Sequence, residues 1–172
     1  MHTRRGILGF VLLAPLTATG CGWRPLYADA ETGPTDDELR AVHVDPIPER
    51  IGQRLELALR RSFNPTGAPS PTRYVLRTTL SVVRSDLGIQ SQGLGTRGRV
   101  DVSAAIVLAE VKTGASLLST TIHTADSFDI VANEYASLVA EEDARTRAAE
   151  ELRRDIVDAL TLFMQRRVAA KT

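Results

Sequence analysis

Two runs of alternating side chains constrain this chain more than any other feature. Tyr74, Leu76, Thr78, Leu80 and Val82 alternate with Val75, Arg77, Thr79 and Ser81. Val100, Val102, Ala104, Ile106 and Leu108 alternate with Asp101, Ser103, Ala105 and Val107. Successive side chains of a strand point to opposite faces, so each run predicts a half-buried strand. Lys112-Thr113-Gly114-Ala115 reads as a turn, and the threonine-rich stretch Leu117 to Asp126 as a third strand of the same meander. A short strand precedes them, from Leu39 to Val44, stopped by Asp45-Pro46.

Helical spacing appears twice. Ile51, Leu55, Leu59 and Phe63 recur every four residues, with Ala58 beside them and Arg50, Arg54, Arg60 and Arg61 off the stripe. Pro48 and Glu49 suit a helix start, and Asn64-Pro65-Thr66-Gly67 suits its end. A second, longer helix is predicted from Asn133, a plausible N-cap, to about Arg167. Its expected apolar face comprises Tyr135, Leu138, Ala148, Ala149, Leu152, Ile156, Leu160 and Phe163. Glu141/Arg145, Asp143/Arg147 and Glu150/Arg154 are its expected i,i+4 ion pairs. The order β-α-β-β-β-α predicts one α+β domain over residues 39–172: a four-stranded, mostly antiparallel sheet with two helices packed on one face.

Residues 1–20 read as targeting rather than fold. Arg4-Arg5 precede the apolar run Ile7 to Ala14, which is too short for a bilayer span of roughly 20 residues but suits a signal-peptide core. Arg4-Arg5 followed by Gly6-Ile7-Leu8 also has the outline of a twin-arginine signal, although paired arginines are common in such leaders and general export is the expectation. The stretch Leu16-Thr17-Ala18-Thr19-Gly20 ends at Cys21, the single cysteine. It resembles a bacterial lipobox, whose cysteine is lipidated and becomes the first mature residue. The alternative is a secretory cut nearby, which leaves a thiol exposed to an oxidising compartment. Residues 21–38 then form a lipidated tether and linker. Trp23 and Tyr27 suit either a membrane interface or packing on the domain.

Charge excludes one partner class. The chain holds 21 basic and 21 acidic residues, and losing Arg4 and Arg5 with the leader leaves it near −2. Nothing in that balance points to nucleic acid. Gly93-Leu94-Gly95-Thr96-Arg97-Gly98 fits the G-x-G-x-x-G pattern, but phosphate cradling needs a strand before it and a helix after it. Both neighbours here read as strands, so a glycine-rich hairpin loop is expected. His43 and His123 lack companions at ligand spacing, and the Glu141-Glu142-Asp143 run reads as a solvated helix face, so no metal or other cofactor is expected. No nucleophile elbow or Ser-His-Asp pattern is present, so the chain is not expected to be an enzyme. Arg84, Arg97 and Arg99, flanking and occupying the loop Gly88 to Gly98, are the candidate ligand-binding residues, because arginine grips phosphate with two donors at once. The plain alternative is that they serve solubility.

Three stretches together resemble a known family. Cys21-Gly22-Trp23-Arg24-Pro25-Leu26-Tyr27, Ile47-Pro48-Glu49-Arg50-Ile51-Gly52-Gln53-Arg54-Leu55 and Asn133-Glu134-Tyr135-Ala136-Ser137-Leu138-Val139-Ala140-Glu141-Glu142-Asp143-Ala144 are similar to the alphaproteobacterial form of the LptE family of lipopolysaccharide-assembly lipoproteins. The resemblance implies a four-stranded sheet with two helices on one face. It also implies an outer-membrane lipoprotein facing the periplasm, anchored through Cys21 by palmitate-type acyl chains. Its implied partners are lipopolysaccharide and an LptD-like β-barrel that it plugs. Gly22, where an Asp would hold an enteric lipoprotein in the inner membrane, permits the outer one. An accessory lipoprotein of a periplasmic transport complex is the alternative.

Overall fold

The structure, a computed structural model, describes residues 33–69, 71–89 and 95–170. The leader, Cys21 and the tether aromatics Trp23 and Tyr27 lie outside the described residues.

The first element is a helix that the sequence reading missed. α1 (Pro34–Arg40) begins after Gly33, carries Asp36 and Asp37 in its first turn and ends on Arg40. Gly-Pro followed by acids marks a turn and a helix start equally well, so these residues passed for linker. Leu39 is the residue of α1 that enters the core, which corrects its placement on a strand. β1 (Val42–Val44) is correspondingly short.

α2 (Glu49–Phe63) follows, with Pro48 as its cap residue rather than its first turn. Leu55, Leu59 and Phe63 are buried as their spacing predicts. Gly52 is needed for close approach, since a Cβ there would sit 2.6 Å from Ile47 Cγ2. β2 (Tyr74–Ile89), β3 (Gly95–Glu110) and β4 (Ser116–Asp129) form an antiparallel meander. β1 pairs with β2 in parallel, Val42 beside Tyr74 and Val44 beside Leu76, because α2 crosses over between them. The sheet, in the order β1-β2-β3-β4, is therefore mixed. Among the described residues the outer edge of β1 meets side chains instead of another strand. Asn64 Nδ2 donates to the Val42 carbonyl at 2.8 Å and Arg60 Nη2 to that of Val44 at 3.3 Å, which blunts an edge that would otherwise invite pairing.

α3 (Glu134–Ala169) packs against β3 and β4 and also meets α1 and α2. Asn133 caps it as expected, its side-chain oxygen accepting from the Ala136 N–H. Ala144, Ala148, Leu152, Ile156, Leu160 and Met164 face the sheet at four-residue spacing, all essentially fully buried. They meet Leu76, Val100, Val102, Ala104, Ile106 and Leu108 in one core. Tyr135 and Leu138, expected on that face, are instead 75% and 58% exposed. Their spacing makes a stripe, but the buried face of α3 begins only at Ala144. Around that point, Arg84 and Asp126 line the face that α3 covers. Among the described residues no helix packs on the opposite face of the sheet. Its centre is a patch of small side chains with one imidazole: Thr79, Ala105 and Thr121 side by side, then Ser81 and Ser103 beside His123.

Candidate functional site

The three candidate arginines do not share a surface. Side chains alternate along a strand and register is fixed across the meander. Arg97 stands beside Leu87 and Asp129, and Arg99 beside Ser85 and Ser127, on the open face. Arg84 stands beside Val100 and in line with Asp126, on the face covered by α3. Arg97 and Arg99 also lie on β3 rather than in a loop, since the paired strands extend to Ile89 and Gly95.

Arg84 has a packing role. Its Nε donates to Glu141 Oε2 at 3.1 Å, its Nη2 lies 3.0 Å from Asp86 Oδ1, and its guanidinium sits 5.7 Å from the centre of the Phe128 ring. It bridges β2, β4 and α3. Glu141, whose side chain is only 12% exposed, also accepts from Arg145 at 2.5 Å. One turn further on, Arg147 leaves its expected partner Asp143 for Asp126, donating from Nε at 2.6 Å. That hydrogen bond holds the Arg147 guanidinium above its ordinary pKa. Glu150 likewise pairs with Arg153, not Arg154, and the Arg153 hydrogen bond keeps its carboxyl below the usual range. Sequence spacing favours i,i+4 partners on one helix. It cannot show that a strand supplies a better carboxylate.

Arg97 and Arg99 are differently placed. Arg99 is held by its neighbour on the same face, with Nη2 2.8 Å from Asp101 Oδ1 and Nε 2.9 Å from the same oxygen. Arg97 is 62% exposed, with Asp129 3.9 Å away. The two cations project from alternate residues of one strand, so their Cα atoms are about 7 Å apart. That spacing suits two oxygens of one phosphate group or two neighbouring anionic groups.

The sequence reading did not anticipate a cavity of about 440 Å³ where the start of α2 approaches α3 and β2. Ile51 and Val82 supply its apolar part, and Arg50, Arg54 and Arg145 its cations. Arg54 is spent on Glu142, 2.8 Å away, and on the Thr146 hydroxyl. A smaller cavity of about 300 Å³ lies beside β1, lined by His43, Leu57 and Pro69 among others. His43 has Asp45 3.8 Å away, and His123 stands on the open face. Among the described residues no group of three or more His, Cys, Asp or Glu side chains is placed to hold a metal ion. No helix among them is long and apolar enough to cross a membrane.

Residues 39–160 match the protein family described as LptE, lipopolysaccharide-assembly. Solved structures of similar fold include a protein of Caulobacter crescentus designated a lipoprotein, 20% identical with a TM-score of 0.61, covering 76% of this chain and 96% of its own. A lipoprotein B from Nitrosomonas europaea is 15% identical, with a TM-score of 0.55 and coverage of 72% and 83%. A minor lipoprotein from Acinetobacter baumannii is 16% identical, with a TM-score of 0.51 and coverage of 70% and 90%. Among curated proteins none matches the chain.

Proposed function

The chain belongs to the LptE lipopolysaccharide-assembly family, and from that membership we propose that it is a non-enzymatic outer-membrane lipoprotein that assists an LptD-like β-barrel in placing lipopolysaccharide in the outer leaflet. The family match over residues 39–160 carries the reading. The leader is removed and Cys21 is acylated, which holds the domain at the periplasmic face of the membrane. Each buried CH₂ contributes about 0.8 kcal/mol, so several chains anchor stably where one does not.

The domain sits within the barrel lumen, which is polar in such proteins. Small polar side chains on the open sheet face, Thr79, Ser81, Ser103 and Thr121 among them, suit that surface. Arg97 and Arg99 contact the phosphorylated part of lipopolysaccharide. Arg97 makes first contact because its carboxylate partner is more distant, and Arg99 exchanges Asp101 for phosphate. Arg84 supports them from behind by fixing β2 and β4 against α3.

Depleting the protein in its host and following newly made lipopolysaccharide tests this reading. The expected result is loss of surface lipopolysaccharide with retention in the inner membrane. Undiminished surface lipopolysaccharide contradicts it.

A further inference from the structure

β4 is a border strand, and its register shows which backbone groups it leaves over. The Ile130 N–H donates to the Thr96 carbonyl at 3.1 Å, and the pairing with β3 carries that parity back along β4. Even-numbered residues from Phe128 back to Thr120 therefore turn their backbone groups to β3, and odd-numbered ones from Ser127 back to Ser119 turn theirs outward. Ser127 is capped: its N–H donates to Asp126 Oδ1 at 2.7 Å and its carbonyl accepts from Arg147 Nη2 at 3.3 Å. Among the described residues nothing caps the outward N–H and carbonyl groups of Ala125, His123, Thr121 and Ser119.

That stretch lacks the devices that keep an edge from pairing. It reads Ser-Thr-Thr-Ile-His-Thr-Ala, mostly β-branched, with no proline, glycine, lysine or acid. α3 bonds to β4 at Asp126 and Thr124, through Arg147 and Glu151, and its later Arg167 reaches Glu110 of β3 instead. Thr120, on the side where α3 packs, is accordingly exposed. The other long border is more obstructed. β1 covers β2 from Tyr74 to Leu76. Beyond it, Glu49, Arg50 and Ile51 of α2 share a cavity with Val82, and the charged Arg84 and Asp86 follow.

A row of alternating N–H and carbonyl groups is matched by an extended strand. This chain supplies one itself. Antiparallel pairing about a two-fold axis at Ile122 sets Ser119 opposite Ala125 of a second copy, and Thr121 opposite His123. All four outward residues are then matched, no charge meets its like, and the overlap stops short of the capped Ser127. Ile122, partly buried against the core, meets its own counterpart and adds an apolar cross-strand pair.

We infer that residues 119–125 of β4 are a self-association edge, on which a second copy of this chain pairs antiparallel and joins two four-stranded sheets into one. Both partners are this chain, so the inference stands apart from the barrel reading.

Sedimentation of the full-length protein in density-matched detergent tests it, over a concentration series reaching roughly 0.1 mM. Thr121→Lys with His123→Lys sets lysines directly opposite one another in the paired register. Thr79→Lys with Ser81→Lys adds the same charges to the same face on β2. A concentration-dependent dimer is expected. The β4 lysines should weaken it about tenfold or more with an unchanged melting midpoint, and the β2 lysines should leave it as it is. In cells, Thr121→Cys on one copy and His123→Cys on a second, differently tagged copy should join through a short bismaleimide, because paired residues of this kind hold their Cα atoms about 5.5 Å apart. The unmodified chain, whose one cysteine is Cys21, is the blank.

The crosslink carries the test should the double lysine fail to fold. A protein that stays monomeric across the series overturns the inference. So does a dimer that the β4 lysines leave intact or the β2 lysines abolish, and so does a 121–123 pair no more crosslinked than the blank.

Discussion

The ring of Phe128 occupies the space that a side chain at Gly98 would need. The two residues are partners across β3 and β4, and a Cβ on residue 98 would overlap the ring, with Cε2 only 2.7 Å away. Arg84 closes over the same ring. The last glycine of the G-x-G-x-x-G run thus serves packing. Gly98→Ala forces the ring out of a filled site, which costs about 1–3 kcal/mol. A melting midpoint lower by about 3–10 °C is expected in thermal unfolding, and an unchanged midpoint contradicts this account of the glycine.

The arginines separate by face, so their substitutions should separate by effect. Arg84→Glu sets like charges against Glu141 and Asp86 and uncovers Phe128. A loss of about 1–2 kcal/mol of stability follows, after allowance for the partial exposure of Arg84. Arg97→Glu and Arg99→Glu should each change stability by about 0.5 kcal/mol or less. Together they should weaken lipopolysaccharide binding about tenfold or more, since each removes a charge-assisted contact. Calorimetry of unfolding and a direct lipopolysaccharide-binding titration check both halves. Equal destabilisation by all three reversals would contradict the separation by face.

Thr78 points into the core with its hydroxyl oxygen buried and unpartnered among the described residues. A valine has the same shape without that group, so Thr78→Val should raise stability by about 1 kcal/mol. Denaturant titration measures it directly, and a loss of stability would mean that the hydroxyl is satisfied.

Tyr74 ties α1 to the sheet. Its hydroxyl donates to Glu38 Oε2 at 2.6 Å, and burial first, then that hydrogen bond, raise its pKa above the ordinary phenol value of 10.0. The protonated phenol is thus favoured by folding. Its contribution is complete below pH 10 and is lost as the pH climbs toward the raised value. Tyr74→Phe should be less stable by about 1 kcal/mol at pH 8. The gap to the unmodified protein should shrink above pH 10, because only the tyrosine form loses stability by ionising. Unfolding curves at pH 8 and above pH 10 test this, and a constant gap contradicts it.

Much of the fold was legible because period and burial coincide. Leu55, Leu59 and Phe63, or Val100 to Leu108, face the core at the spacing that named them. Where two structures share one signal, the sequence misled: Gly33-Pro34 opens α1 but also suits a linker. Tyr135 and Leu138 extended a good apolar stripe past the end of the core it served. The candidate site was legible in residue type but not in arrangement. The parity that puts Arg84 behind the sheet and Arg97 and Arg99 in front depends on register with β3, a pairing between distant residues. The lining of the α2–α3 cavity was hidden for the same reason, since Arg54 and Glu142 meet only after folding.

The most direct measurement is recovery of the tagged full-length protein from detergent-solubilised outer membranes, with mass spectrometry of what accompanies it. The account predicts a stoichiometric large β-barrel and an acylated Cys21 as the first residue. Recovery of the protein alone, or with an inner-membrane transport complex, would contradict it.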